Sequence, residues 1–263
     1  MQKPIINIDI DIDSQHLICV RIEVSMSVLP SSKTGAKRIT RKVDHIFHLL
    51  REEIVLGKRL AGDALLETAL ALEFSTSQGT VREALMRLAE EGLVFRDGYR
   101  GTQIAGIGLS EAEELLAIRL RLERLGFRCA RARYDDKLLT TLGGLIHEMH
   151  ENSAQGHFYA SMECDHAFHL SLFRCARLPV LEPVLGRCML HMHRLSFAYS
   201  RAIYSEMERR SKRAENAFTH QRLIDALSIP DEAAAEEEIE AHILAVWQRG
   251  LSAMRAIRVN NQA

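Results

Sequence analysis

The sequence has little that would interrupt a long helix, since 5 Pro and 15 Gly are spread over 263 residues. Aromatic residues make up only 6 %, which disfavours a β-sandwich or a surface that stacks single-stranded bases. No apolar run approaches the roughly 18–20 residues of a membrane-spanning helix. Acidic residues stand within the N-terminal stretch where a signal peptide would be apolar. The five cysteines form no CxxC pair and are predicted to be free thiols in a cytoplasmic chain without a membrane segment.

An excess of one charge is also lacking, because the formal net charge is −1. Residues 26–107 carry 12 Lys or Arg against 10 Asp or Glu, and residues 108–263 carry 20 against 21. So small a basic excess does not by itself indicate a nucleic-acid-binding protein. Any prediction of DNA binding must therefore come from the pattern of residues.

The first 25 residues alternate apolar and polar side chains, as a half-buried β-strand does. Nothing later in the chain matches this alternation. Residues 1–38 are interpreted as an N-terminal extension, with three alternatives: an added edge strand, a disordered tail, or the product of a misassigned translation start.

Residues 39–104 predict three short helices followed by a β-hairpin. An apolar stripe from Ile39 to Ile54 marks the first helix, and the second lies around Leu66–Glu73. Ser77 can cap the third, which ends at Gly92. Because a turn signal at Asp97-Gly98 follows, the order of elements predicts a winged helix-turn-helix whose third helix enters the major groove of DNA.

The start of that third helix carries side chains that can read DNA. Gln78 can pair with adenine, Thr80 can touch a thymine methyl group, and Arg82 can reach guanine or a phosphate. For single residues the alternatives are a helix cap at Ser77 and a surface ion pair between Arg82 and an acid such as Glu83. The predicted DNA-binding set comprises Thr68, Ser77, Gln78, Gly79, Thr80, Arg82, and Arg100 and Gly101 of the wing.

After a linker at residues 105–109, residues 110–255 show helical periodicity and no strand pattern. Ser110 and Glu113 form a capping-box pattern at the start. Six helical segments are predicted near 110–133, 136–152, 157–176, 179–209, 213–228 and 231–256. The predicted fold class is mostly α: an N-terminal winged helix-turn-helix plus a C-terminal antiparallel all-α bundle.

Two groups of polar residues stand out in this helical part. Asp165 and His169 share one helix face, and His220 and His242 follow on two later helices. A carboxylate and three imidazoles can bind a divalent metal ion such as Zn, Ni, Mn or Fe. A hydrogen-bonded surface pair is the alternative, because 12 histidines make an Asp–His pair at this spacing common by chance. The second group is Arg187, His191 and Arg194, which predict a solvated basic face or, alternatively, the wall of a cavity.

The run from Gly62 to Gly101 resembles the DNA-binding domain of the GntR family. The likeness is carried by Val81-Arg82-Glu83-Ala84-Leu85, Arg87-Leu88 and Glu91-Gly92-Leu93-Val94, followed by Arg100-Gly101. Members of the family usually have, at the position of Gln78, an Arg that reads DNA. The resemblance therefore implies a DNA-binding domain whose base preference is changed.

Residues 110–255 resemble the FCD ligand-binding domain, which marks the FadR-type branch of GntR regulators. The likeness is carried by Arg119-Leu120-Arg121-Leu122-Glu123, by Asp165-His166-Ala167-Phe168-His169, and by His220 and His242. It implies that Asp165, His169, His220 and His242 ligate a metal that orders the bundle or coordinates an organic-acid effector. It also implies that Arg119 clamps the effector carboxylate, with a salt bridge to Glu123 as the alternative. Thr219 stands where the family has Glu, which would loosen the orientation of the His220 ring.

These patterns predict a ligand-responsive, DNA-binding transcription regulator. It is expected to be a homodimeric repressor that leaves double-stranded operator DNA when a small carboxylate or sugar-acid effector binds at or near the metal. The alternative is a DNA-binding regulator whose helical domain only dimerises. A metalloenzyme is disfavoured, and no catalytic residue is predicted, because the sequence has no H-E-x-x-H motif, phosphate-binding loop or nucleophile elbow.

Overall fold

The computed structural model describes residues 6–12, 18–24, 33–97, 101–203 and 219–260. The chain divides into two compact units, Met1–Arg41 and Lys42–Ala263. In the first unit, β1 (Ile6–Ile12) and β2 (Ile18–Val24) form an antiparallel hairpin in which Ile6 pairs with Val24. The apolar–polar alternation of the sequence therefore marks two strands.

Three helices and a small sheet follow, in the order of a winged helix-turn-helix. The helices are α1 (Lys33–Val55), α2 (Glu67–Glu73) and α3 (Gln78–Glu90). The strands are β3 (Ala64–Leu65), β4 (Val94–Asp97) and β5 (Gly101–Ile104), in the antiparallel order β3-β5-β4. The predicted helices and hairpin are confirmed, whereas β3 was missed because two residues carry no periodicity.

The core of this part forms where the apolar stripe of α1 meets the inner face of α3. Leu50 and Ile54 of α1 are fully buried with Val81 and Leu88 of α3. Gly92 ends α3 at a φ of +76°, a conformation that favours glycine, and the next N–H donates to the carbonyl of Leu88 at 3.0 Å. This reversal directs the chain from the recognition helix into the wing.

The rest of the described chain is a helical bundle. Its helices are α4 (Leu109–Arg131), α5 (Asp136–Ala154), α6 (Phe158–Arg174), α7 (Glu182–Ile203), α8 (219–226) and α9 (Glu232–Asn260). α4 packs on α6, α7 and α9, and α6 packs on α5 and α7. The predicted fold class is confirmed, and each predicted segment corresponds to a helix, although residues 204–218 lie outside the described part.

The capping-box prediction at Ser110 is wrong. α4 begins at Leu109, and its N-cap residue is Gly108, which has no side chain that could cap the helix. Because the helix starts one residue before Ser110, that side chain already lies in the first turn. A side-chain cap occurs instead at α5, where Asp135 accepts a hydrogen bond from the N–H of Leu138 at 2.8 Å.

Gly126 allows α4 and α6 to approach backbone to backbone. A Cβ atom at this position would stand 2.7 Å from the Cα atom of Phe173, too close for any real contact. Phe173 is itself buried in the bundle. This approach brings the face of α6 that carries Asp165 and His169 against the face of α4 that carries Arg119 and Glu123.

None of the described helices combines the length and the apolar character needed to span a bilayer.

Four cysteines, Cys129, Cys164, Cys175 and Cys188, are free thiols, as predicted. Cys19 lies outside the residues whose side chains are described.

Candidate functional site

The start of the recognition helix α3 combines an internal cap with an exposed surface. The Ser77 hydroxyl accepts a hydrogen bond from the N–H of Thr80 at 3.2 Å and lies 2.9 Å from the Thr80 hydroxyl. Thr80 is only 8 % exposed, so it supports the helix start and does not face outward as the predicted thymine contact requires. Gln78 and Gly79 are exposed.

Arg82 points outward from α3 and is paired with Glu67, the first residue of α2. The Arg82 Nη2 atom lies 2.7 Å from Glu67 Oε2, and its Nε atom lies 3.1 Å from both carboxylate oxygens. Arg96 of β4 donates to the same carboxylate at 3.2 Å. The surface ion pair weighed for Arg82 therefore exists, with Glu67 and not Glu83 as the acid.

The other predicted DNA-binding residues lie around this surface. Thr68 is exposed on α2, and Gly101 begins β5 with a φ of +78°. Arg100, the predicted cation of the wing tip, lies outside the described residues.

The predicted metal ligands converge inside the bundle. His169 of α6, His220 of α8 and His242 of α9 form a group in which one donor atom of each lies within 4.8 Å of the others. The ring centroids of His220 and His242 are 4.4 Å apart, and His169 lies 5.4 and 5.3 Å from them. Burial, with His220 and His169 nearby, holds the pKa of His242 well below its usual range. A neutral imidazole is the form that binds a metal ion.

Asp165 lies at the edge of this group of histidines and contacts it at His220. Its Oδ1 atom is 3.0 Å from His220 Nε2, and its Oδ2 atom is 2.9 Å from His193 Nε2. Burial alone would raise the pKa of Asp165, but His193 and His220 hold it well below its usual range. The carboxylate is therefore ionised and can bind a cation.

The donor atoms fit a metal ion because neighbouring side chains bond the opposite side of two imidazole rings. Glu123 contacts His169 Nδ1, and the Thr219 hydroxyl lies 3.0 Å from His242 Nδ1. His169 Nε2 is buried and has no hydrogen-bond partner among the described residues. Such outer contacts fix ring orientation at metal sites. Thr219 thus contacts His242, whereas the sequence had linked it to the orientation of His220.

Arg119 adopts the alternative that the sequence left open. It is 3 % exposed, and its Nε atom donates to Glu123 Oε1 at 2.5 Å. Burial alone would raise the pKa of Glu123, but Arg119 and His169 lower it to about 2. The guanidinium of Arg119 is therefore already paired with a carboxylate beside His169.

The basic residues of α7 bind main-chain carbonyls at the end of the recognition helix and just after β5. Arg187 donates to the carbonyl of Glu90, and Arg194 donates to the carbonyl of Ala105. His191 Nε2 lies 2.9 Å from the carbonyl oxygen of Glu91. The prediction of a solvated face is wrong for His191 and Arg194, which are buried. Their spacing alone could not show that another domain covers them.

Sequence reasoning missed His193, which had been given no role. It contacts Asp165 from α7, and its ring lies 4.9 Å from His166. The only available signal was that His193 follows His191 on the same helix, which does not indicate a partner 28 residues away.

Comparison with protein families matches two successive segments of the chain. Residues 42–104 match the bacterial regulatory proteins of the gntR family, and residues 114–245 match the FCD domain.

Named relatives agree with this match. The chain is 26 % identical over 212 residues to the "Probable D-xylose utilization operon transcriptional repressor" of Paenarthrobacter nicotinovorans, covering 80 % of this chain and 90 % of the relative. It is 37 % identical over 101 residues to the gluconate operon transcriptional repressor of Bacillus licheniformis, covering 38 % of this chain and 41 % of the relative. It spans less than half of other curated relatives, such as the regulator YdhC of Bacillus subtilis, of which 46 % is covered at 29 % identity.

Solved structures share the fold. A GntR-type transcriptional regulator from Rhodococcus sp. RHA1 superposes with a TM-score of 0.65 at 19 % identity, covering 81 % of this chain and 99 % of that one. McbR/YncC of E. coli superposes with a TM-score of 0.64 at 18 % identity, covering 82 % of this chain and 98 % of that one. The families and named relatives are regulators and not enzymes, as predicted. With a gntR-type domain before an FCD domain that spans half of its residues, the chain belongs to the FadR-type branch of the gntR family of bacterial regulatory proteins.

Proposed function

We propose that this protein is a homodimeric transcription repressor that binds operator DNA through α3 and releases it when a small carboxylate or sugar acid binds in the helical domain. One observation carries the proposal: α7 contacts both the candidate metal site and the end of the recognition helix. His193 reaches Asp165, while Arg187 and His191 hold the carbonyls of Glu90 and Glu91. A change at the buried site can thus shift the DNA-binding helix through one rigid element.

Asp165, His169, His220 and His242 would hold the metal ion, supported by the mutual closeness of the three histidines and the unpartnered Nε2 atom of His169. The donor set of imidazoles and one carboxylate suits Zn, Ni, Mn or Fe. When bound, the metal would supply a Lewis-acid centre for a carboxylate or hydroxyl oxygen. Glu123 and Thr219 would orient the ligand rings from outside.

A small hydroxy acid is the effector class that best matches this site. Arg119 lies beside the histidines and could exchange part of its bonding to Glu123 for a bond to an entering carboxylate. The relative named for the gluconate operon suggests a sugar acid, so D-gluconate is the first probe.

The DNA-binding half would act as a dimer, because two recognition helices about one helical turn apart read a pseudo-palindromic site. Gln78, Gly79 and Arg82 are exposed at the start of α3 and would meet the bases or phosphates. Thr68 and the wing at Gly101 would flank them.

The test uses full-length protein purified without a metal-affinity tag. Its metal content is measured by mass spectrometry, and duplexes that it retains are selected from a random pool. D-gluconate is then titrated into the protein–duplex complex while fluorescence anisotropy reports release. We expect stoichiometric metal, a selected pseudo-palindrome and loss of DNA affinity with gluconate in the wild type but not in His220→Ala.

Three outcomes would contradict parts of the proposal. Retention of no duplex would contradict DNA binding. A metal-free protein with full effector response would contradict the metal site. Unchanged DNA affinity with gluconate and a panel of other hydroxy acids would leave the helical domain as a dimerisation module.

A further inference from the structure

Glu67 joins three elements of the DNA-binding domain through one carboxylate. It begins α2, and its two oxygens accept hydrogen bonds from Arg82 of α3 and Arg96 of β4, between 2.7 and 3.2 Å. The recognition helix, the helix before it and the wing therefore meet at one acid.

The carboxylate lies beneath its two partners. The Glu67 side chain is 19 % exposed, whereas Arg82 is 53 % and Arg96 is 61 % exposed. The trio keeps one net positive charge on the outer surface. An acid that served only to weaken phosphate binding would not need to lie beneath the arginines.

The pairing uses one edge of the Arg82 guanidinium. Its Nε and Nη2 atoms face Glu67, which leaves the Nη1 end directed away from that carboxylate. Arg82 and Arg87 are the cations of α3, and Arg87 is engaged with Asp44 at 2.6 Å and lies over the ring of Phe47. Since Gln78 carries no charge, Arg82 is the cation of α3 best exposed to DNA.

We propose that Glu67 determines the sequence specificity of DNA binding by holding Arg82 in one orientation and by restraining Arg96. This inference rests on the DNA-binding function proposed above. A guanidinium held in one orientation presents a fixed edge to one base or phosphate. The affinity for the correct DNA sequence therefore rises more than the affinity for other sequences. Two released arginines would neutralise any phosphate within reach, which strengthens binding to every duplex alike.

The experiment compares Glu67→Gln with the wild type on two duplexes: one selected by the wild-type protein from a random pool, and a scrambled duplex of the same composition. Fluorescence anisotropy gives both affinities over a series of salt concentrations. We expect the ratio of selected to scrambled affinity to fall roughly tenfold in Glu67→Gln. The dependence of log affinity on log salt should steepen by about one because a negative charge is lost.

Glu73→Gln is the matched control. Glu73 also lies on α2 and also pairs with an arginine, Arg59, at 2.7 Å, but this pair involves neither α3 nor the wing. The control removes the same charge and should keep the wild-type specificity ratio. Arg82→Lys keeps the positive charge but removes the planar guanidinium with its paired donors. This variant should lose specificity without gaining affinity for the scrambled duplex.

The outcomes separate the two proposals. If the wild type selects a duplex and Glu67→Gln keeps the full specificity ratio, or if Glu73→Gln loses it equally, the role of Glu67 is overturned while DNA binding stands. If the wild type selects no duplex, DNA binding itself fails. Thermal unfolding of each variant verifies that the compared proteins are folded.

Discussion

Two glutamates in this molecule make the same arrangement in opposite surroundings. Glu67 is shared by Arg82 and Arg96 at the surface, and Glu123 is shared by Arg119 and His169 inside the bundle. At the surface, water replaces whichever partner is lost, so an exposed pair contributes little stability and acts through orientation. Inside, no water replaces the partner, so loss of one member leaves a buried charge unpaired and is expected to destabilise the bundle and the position of His169.

The sharpest test of this contrast is Glu123→Gln. The substitution leaves the Arg119 guanidinium buried without a counter-charge, and we expect a loss of about 3–5 kcal/mol in the free energy of unfolding. Urea titration followed by circular dichroism measures it, with Glu67→Gln as the surface counterpart. Similar losses in the two variants would remove the distinction between the sites.

Removal of metal by a chelator tests whether the buried histidine group binds a cation. With free metal at a hundred times its Kd, the bound ion should add about 2.7 kcal/mol to the free energy of unfolding. A chelator would remove this contribution, and Tm should fall. His169→Ala should show no such fall. His147→Ala, a change at an exposed histidine of α5, should respond as the wild type does. A wild-type Tm indifferent to chelator would contradict the site.

Gly126→Ala separates distance from charge, because it alters no ionisable group. The new methyl group would collide with the Phe173 backbone and move α6, with His169, away from Glu123. Overpacking of this kind costs about 1–3 kcal/mol. Gly143→Ala is the control, since a Cβ there meets nothing within 4 Å and should be neutral or stabilising. Equal behaviour of the two variants would show that the helices part freely.

The smallest effect is expected for the stability of Glu67→Gln. An exposed pair of this kind should change Tm by no more than about 2 °C. Bonds from Arg82 lower the pKa of Glu67 below its ordinary value of 4.5. The contribution of the charged group is therefore present above pH 4.5 and is lost as pH falls through the lowered pKa. Unfolding curves of the wild type and the variant should converge in acid, and a difference that grows there would contradict the pairing.

The sequence predicted those features that depend on neighbours along the chain. Ser77 as a cap, Gly92 as the end of α3 and the apolar stripes of the helices follow from local rules of backbone and periodicity. The three histidines of the candidate metal site were found through their resemblance to a family pattern, since spacing alone left a surface pair open.

The features that the sequence did not predict depend on which faces of different helices pack together, and residue spacing does not specify that packing. Thr80 was expected to face DNA, but the turn at Ser77 draws its hydroxyl inward. His193 was given no role because its partner Asp165 is contributed by another helix. His191 and Arg194 of α7 are covered by main-chain carbonyls of the segment that precedes the bundle, and no local pattern in the sequence indicates this contact.

The bonds from α7 go to main-chain carbonyls, and every amino acid supplies the same carbonyl. Substitutions on the outward face of α3 can therefore change the operator without altering how the bundle grips that helix. Gly92 is the exception, because a Cβ atom there would stand 3.1 Å from His191 Nε2. A graft of another regulator's recognition helix onto this bundle would then need to preserve this glycine, whereas the hydrogen bonds from α7 to the carbonyls would place no demand on the side chains.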